Sequence, residues 1–371
     1  MKSRKIYFGL LVLVAALSGM AHAAYFQEVD VFTRPADGYN CFRIPSIIAA
    51  PNGDLLAFCE GRKNDCGDGG DVDILMKRST DNGQTWGSLE VIFDEGFDKP
   101  ITIGNPCPVV DEITGRIWML MCRNVRRVYL GYSDDNGASW WMYKELSFTV
   151  IPPHSEGRHY ATGPGIGIQL RKAPYAGRLV IPCDHDYGSA EGMHSHMIYS
   201  DDHGETWTYS GCIGPMSDEC QVVELSDGTL LMNSRRTKPV GEGPPYRGIA
   251  TSGDGGQTWS EVTSDTSLPD SVSSDGCQGS ILRYMPSDSG DTRVLFSNPA
   301  DAVSRVNMTV RLSYDECETW PVSKQVYSGF SAYSCLVMIP DGKIGCFYEK
   351  GPGQYQRITL ARFDMDWLTS P

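Results

Sequence analysis

Five octapeptides built to one pattern constrain this chain more than any other feature of it. Ser79 to Trp86 runs Ser-Thr-Asp-Asn-Gly-Gln-Thr-Trp, and the scheme Ser-x-Asp-x-Gly-x-Thr-Trp returns at Ser133 to Trp140, Ser200 to Trp207, Ser252 to Trp259 and Ser313 to Trp320. Their starts lie 54, 67, 52 and 61 residues apart, a period too long for a helical solenoid. A second repeat interleaves with the first: apolar alternation, a turn with glycine, then apolar alternation again. The turn glycines are Gly53, Gly115, Gly177, Gly228, Gly290 and Gly342, spaced by 62, 62, 51, 62 and 52 residues. Asn-Gly and Asp-Gly between apolar runs are hairpin signals, because such turns need positive φ.

The sixth hairpin is followed only by the apolar tail Ile358 to Trp367, so six units are expected, the last without its box. About 58 residues per unit is enough for four strands and their loops. The expected fold is therefore all-β, a six-bladed β-propeller of four antiparallel strands per blade. A ring of sheets leaves no long free edge, and interleaved repeats argue for one domain. In each box the Asp is expected to staple its own turn and the Trp to pack between neighbouring sheets, in preference to calcium binding. Cys317 replaces the box glycine in the fifth copy, which puts that turn's geometry in question.

Lys2, Arg4 and Lys5, the apolar run Ile6 to Leu17, and Ala21-His22-Ala23 have the form of a cleaved secretory leader over residues 1–23, leaving residues 24–371 as the propeller. The expected destination is the periplasm or the exterior. No later apolar run is long enough to span a bilayer. The net charge is −14, and −17 without the leader, which argues against nucleic acid as a partner. All twelve cysteines lie beyond the leader. An exported protein can hold disulfides, but no pairing can be read, and most of these cysteines sit in apolar runs that suit buried free thiols.

Cys41-Phe42-Arg43-Ile44-Pro45 precedes the first box. A Phe-Arg-Ile-Pro motif ahead of repeated Asp boxes resembles the sialidase (neuraminidase) superfamily, and the resemblance covers essentially the whole chain after the leader. It implies a retaining exo-α-sialidase acting on terminal sialic acids of glycoproteins, glycolipids and oligosaccharides, with no cofactor and no metal. By resemblance, Arg43, Arg235 in Leu-Leu-Met-Asn-Ser-Arg and Arg311 in Val-Asn-Met-Thr-Val-Arg clamp the substrate carboxylate. Asp68 matches the acid/base, with Asp65 second in the same Asp-rich loop. Glu219 and Tyr333 match the nucleophile pair, and Glu349 the carboxylate that orients Arg43. Arg62 and Asn105 resemble positions near the sugar's 4-hydroxyl and N-acyl groups.

The chemistry suits these residue types. Sialic acid carries its carboxylate on the anomeric carbon, so recognition needs fixed positive charge, and arginine offers an always-ionised planar fork. A carboxylate nucleophile would meet that carboxylate, whereas a neutral phenol does not, and a tyrosine nucleophile is the sialidase departure from ordinary retaining glycosidases. His194 and His196 have no third ligand in view for a metal. Two alternatives remain: an enzyme that transfers sialic acid or releases an anhydro product, and a propeller that binds sialylated glycans without cleaving them.

Overall fold

The computed structural model describes residues 23–95, 99–188, 192–237, 246–271 and 275–371; residues 1–22, where nearly all of the expected leader falls, lie outside it. The apolar alternations become short antiparallel strands. Cys41–Ala49, Leu55–Arg62, Val72–Ser79 and Glu90–Phe93 form one four-stranded sheet, and Ile103–Val110, Ile117–Arg123, Arg127–Ser133 and Trp141–Glu145 a second. Tyr160–Thr162, Leu179–Asp186, Met193–Ser200 and Thr208–Tyr209 form a third, with Ile168–Gln169 paired beside Leu179–Asp186. Cys220–Glu224, Leu230–Ser234, Tyr246–Ser252 and Thr263–Pro269 form a fourth.

The remaining strands make one seven-stranded sheet that shares its longest member. The first part of Val322–Met338 pairs with Val306–Ser313, and its last part pairs with Ile344–Gly351. On one side lie Val306–Ser313, Val294–Pro299 and Ser280–Arg283; on the other lie Ile344–Gly351, Arg357–Phe363 and Phe26–Thr33. The N-terminal strand thus completes the C-terminal sheet, with Phe26 opposite Phe363 and Thr33 opposite Arg357. Helix among the described residues is limited to α-helices at Ser147–Val150 and Met365–Thr369 and a single 3-10 turn at Ser287–Ser289, and no helix there is long and apolar enough to cross a membrane.

The inner strands are almost wholly buried, Cys41–Ala49 at eight of its nine positions and Leu55–Arg62 at all eight. Cores lie between adjacent sheets: Trp140 of the second box meets Phe58 and Phe93 of the first sheet edge-on, with ring centroids 5.6 and 6.1 Å apart. Each fully buried large apolar side chain contributes roughly 1.5–3 kcal/mol relative to exposure.

All five boxes join the third and fourth strands of their units, each opening on the last residue of a strand. Ser79 Oγ donates to Asp81 Oδ1 at 2.8 Å and accepts from the Gly83 N–H at 2.8 Å, while Thr85 donates its N–H and its hydroxyl to Asp81 at 2.9 and 2.6 Å. The same bonds recur in the other four boxes. Cys317 does not spoil the fifth: it accepts φ +73°, and its N–H reaches Ser313 Oγ at 2.9 Å.

At the axis, a cavity of about 750 Å³ at the box end is lined by Ile47, Val110, Ile168, Val222, Ile281 and Val337. A second, of about 400 Å³, opens at the other end. The segment 161–167 runs between them, its carbonyls held by Ser46 (to Gly165, 2.8 Å) and Gln221 (to Pro164, 2.9 Å). Gly165 has φ +115°, and a Cβ there would strike the Gln221 amide.

Candidate active site

Three first strands are broken by a bulge at the end facing the smaller cavity: between Arg43 and Ser46, between Gly104 and Cys107, and between Ser331 and Ser334. A bulge re-aims side chains out of the pleat. The first two coincide with Ile44-Pro45 and Asn105-Pro106, where proline removes a ladder donor, and Ile44 and Asn105 take φ +60° and +54°. Positive φ is costly for a β-branched residue such as Ile44. A fixed partner holds it there, since the Ile44 N–H donates to Glu349 Oε1 at 2.9 Å.

Glu349 is fully buried and ties two sheets together. It accepts from Arg43 at 2.8 and 3.3 Å and from the Tyr333 N–H at 3.2 Å. The Tyr333 hydroxyl donates to Glu219 Oε1 at 2.5 Å, and Arg235 Nη1 reaches Glu219 Oε2 at 2.8 Å and the same hydroxyl at 3.3 Å. The guanidinium carbons of Arg43 and Arg305 stand 5.1 and 5.6 Å from the centroid of the Tyr333 ring. Burial and the Glu219 charge push the phenol well above its usual range, so at rest it keeps its proton.

Across the cavity, Arg62 donates to Glu60 at 2.6 and 2.9 Å and to Asp68 Oδ1 at 2.8 Å. Asp68 is 85% exposed and lines the cavity, 3.7 Å from Arg43. Desolvation would raise its carboxyl, but Arg62 and Arg43 outweigh that and hold it below the usual range. Asp65 instead caps its own turn, accepting from the Gly67 N–H at 2.6 Å, while Asp71 and Asp73 are taken by Lys63 at 3.1 and 3.2 Å. Asp68 is thus the acid of that loop that faces the cavity. Asn105 lines the cavity too, its N–H on Glu60 Oε1 at 2.8 Å.

The chain matches a BNR repeat-like domain over residues 53–346. It is 36% identical over 368 residues to a sialidase of Micromonospora viridifaciens, covering 92% of this chain and 54% of that one, so it spans about half of that relative's length. A sialidase of Paraclostridium sordellii is 30% identical over 371 residues, covering 90% of this chain and 88% of that one. The chain belongs to the sialidase superfamily. A solved structure, Hadza microbial sialidase Hz136, superposes with TM-score 0.78 at 29% identity, covering 90% of this chain and 67% of that one.

One residue assigned from the superfamily resemblance is not where the assignment needs it. Arg311 lies buried away from the cavity, donating to Asn298 Oδ1 at 3.1 Å, and burial pulls its guanidinium down to about 10. Arg305 stands in the cluster in its place. The reason is the run of the strand: Arg311 is two residues before the box at Ser313, hence at the box end, and six residues of strand span roughly 20 Å. The box itself carried the signal that could have excluded it.

Other groups went unnoticed in the sequence. Tyr355 lies under Arg43, 3.9 Å from guanidinium carbon to ring centroid. Glu60 orients Arg62. Asp218 accepts from Thr237 at 2.6 Å and stands 3.6 Å from Arg235. His159 lines the cavity with its Nε2 2.9 Å from Asp184 Oδ2. Burial lowers its imidazole, but the Asp184 bond outweighs burial and pushes it up to about 9. His196 is consumed structurally, its two ring nitrogens 2.9 Å from Tyr160 Oη and His185 Nδ1.

One disulfide joins Cys41 to Cys66, pinning the Asp68 loop beside Arg43, while ten cysteines are free and eight of those buried. The preference for buried thiols thus fits most of them, and the pairing that exists was not legible.

Proposed function

We propose that this chain is an exo-α-sialidase that hydrolyses terminal sialic acids with retention of configuration, through Tyr333. The observation that carries the reading is one phenol bonded to Glu219 and surrounded by Arg43, Arg235 and Arg305. The three guanidinium groups take the substrate carboxylate. Tyr333 Oη attacks the anomeric carbon as its proton passes to Glu219, which removes the barrier a phenol otherwise imposes. The bond from that carbon to the leaving oxygen breaks, and Asp68 supplies the proton.

Asp68 must be protonated for that step, yet the unliganded protein holds it ionised. A bound carboxylate offsets the charge of Arg43, and the sugar displaces water from the cavity, so substrate itself raises the acid. Water then attacks the glycosyl-tyrosine, giving its proton to Asp68, and Glu219 returns the proton to the departing phenolate. Glu349 holds Arg43 and the Tyr333 backbone together, and Arg62 and Asn105 face the sugar's 4-hydroxyl and N-acyl side.

Six blades in one domain, residues 24–371, complete the architecture we infer. All six units give apolar residues to the axial cavity at the box end, among them Ile47, Val110, Ile168, Val222, Ile281 and Val337, and the two halves of Val322–Met338 serve two blades. Export is part of the reading, supported by the Cys41–Cys66 disulfide, which suits an oxidising compartment. Proton NMR of a sialoside digest tests the activity: the α-anomer of free sialic acid should appear first. Initial β-anomer, or an anhydro sugar as the only product, would overturn hydrolysis with retention.

A further inference from the structure

Beside the cavity lies a second concavity of about 580 Å³, lined by Arg123, Arg126, Arg127, Glu145, Phe148 and Glu156 among others. Two chain segments build the wall between it and the catalytic cavity. In the first, Val125 faces the catalytic cavity while its neighbours Asn124 and Arg126 face the groove. In the second, His159 faces the cavity while Glu156 and Gly157 face the groove. The segments are tied by the Tyr160 N–H, which donates to Val125 O at 3.0 Å. Asn124 and Val125 both take left-handed backbone, φ +52° and +50°, so the hairpin tip is shaped to present alternate residues to the two sides. A molecule leaving the cavity over this wall enters the groove within one residue's width, about 4 Å.

The groove's chemistry is unusual for this chain. Three arginines stand within five positions of one hairpin in a protein of net charge −14. Arg123 is engaged by Glu95 at 2.7 Å and Arg127 is 3.7 Å from Glu145. Arg126 is exposed and makes no ion pair with a described residue. Phe148, 94% exposed, supplies a flat apolar face on the same groove. A large ring left in water beside a guanidinium is a surface suited to a sugar's apolar face flanked by an anionic group.

We propose that this groove binds the part of the glycan beyond the scissile bond and selects chains that carry a second negative charge there. The charge is either the carboxylate of an inner sialic acid or a sulfate ester, with Arg126 as its partner and Phe148 against the adjoining sugar ring. This inference rests on the sialidase reading, and its test separates the two. Arg126→Glu and Phe148→Ala touch nothing in the catalytic cavity, so cleavage of an aryl sialoside, which has no second sugar, reports the cavity alone.

On a disialylated oligosaccharide, or on a sulfated monosialylated one, Arg126→Glu should lower kcat/KM about 5- to 10-fold, with the aryl sialoside unchanged. The wild-type preference for the charged chains should shrink as salt rises. Loss in either arm identifies the source of the charge; equal values for all substrates in both proteins would overturn the proposal. Calorimetry of the disialylated oligosaccharide with Tyr333→Phe and with Tyr333→Phe plus Arg126→Glu decides the groove even if no sialoside is cleaved. Weaker binding by the double variant supports the groove, and equal binding removes it.

Discussion

The two ends of the strands are built on opposite principles. At the box end, five near-identical networks close within a few residues: Ser79, Asp81, Gly83 and Thr85 are bonded across at most four positions. At the cavity end no four-residue pattern repeats from sheet to sheet, and the bonds leap along the chain, Arg43 to Glu349 across 306 positions and Tyr333 to Glu219 across 114. The box end is redundant, so its loss in one unit is shared by the others. The cavity end is not, and each member acts only because the ring is closed.

That contrast makes graded predictions. Tyr333→Phe should lower turnover of a natural sialoside by roughly 10³-fold or more while leaving thermal unfolding near wild type, because it removes one oxygen and little packing. Arg305→Ala should cost about 10²-fold in kcat/KM, the loss of a charged partner to a carboxylate. Arg311→Ala should leave kcat/KM within about twofold and act on stability instead. If steady-state kinetics gave the reverse ranking, the placement of the third arginine would be wrong.

The same contrast explains what the sequence could and could not disclose. Boxes and hairpin turns are local chemistry repeated at a fixed period, so the all-β sheets and their antiparallel pairing followed from the text alone. Arg43, Asp68, Glu219, Arg235, Tyr333 and Glu349 were reachable because short motifs surround them. Arg305 was missed because two arginines stand near opposite ends of the strand Val306–Ser313, Arg305 just before it and Arg311 within it, and only the direction of that strand distinguishes them. Tyr355, Glu60 and the Cys41–Cys66 bond depend on which chain segments meet across the ring, and no local pattern encodes that.

Smaller effects probe the box end. Asp81→Ala should destabilise by about 1–2 kcal/mol, a Tm fall of a few degrees by calorimetry, with turnover at 25 °C unaffected. Burial would raise the Asp81 carboxyl, but Thr85 and its neighbours outweigh it and hold it at about 2. Because its folded value is depressed, the stability it contributes is present above about 4 and is lost as pH falls through about 2. Asp135, Asp202, Asp254 and Asp315 are shifted in the same direction, so their contributions are lost likewise as pH falls below the usual carboxylate range. The sign reverses at the cavity wall. The His159 imidazole, raised to about 9 by Asp184, loses its contribution as pH rises through 9, and because burial pushes Asp184 itself up to about 7 the pair is complete between those two values, which an NMR titration of that ring would follow. The smallest expected change is Cys317→Gly, a gain of roughly 0.5–1 kcal/mol from relieving positive φ at a residue with a side chain.

The central claim is that the phenol of Tyr333, and not a carboxylate, becomes bonded to the sugar, with Glu219 as its base. A fluorinated sialosyl donor with a good leaving group forms the glycosyl-enzyme faster than it is turned over, and peptide mapping by mass spectrometry then locates the adduct. The account predicts the added mass on Tyr333, and no adduct in Tyr333→Phe. Mass on Glu219 or Asp68, or an unlabelled protein that still turns the donor over, would contradict it.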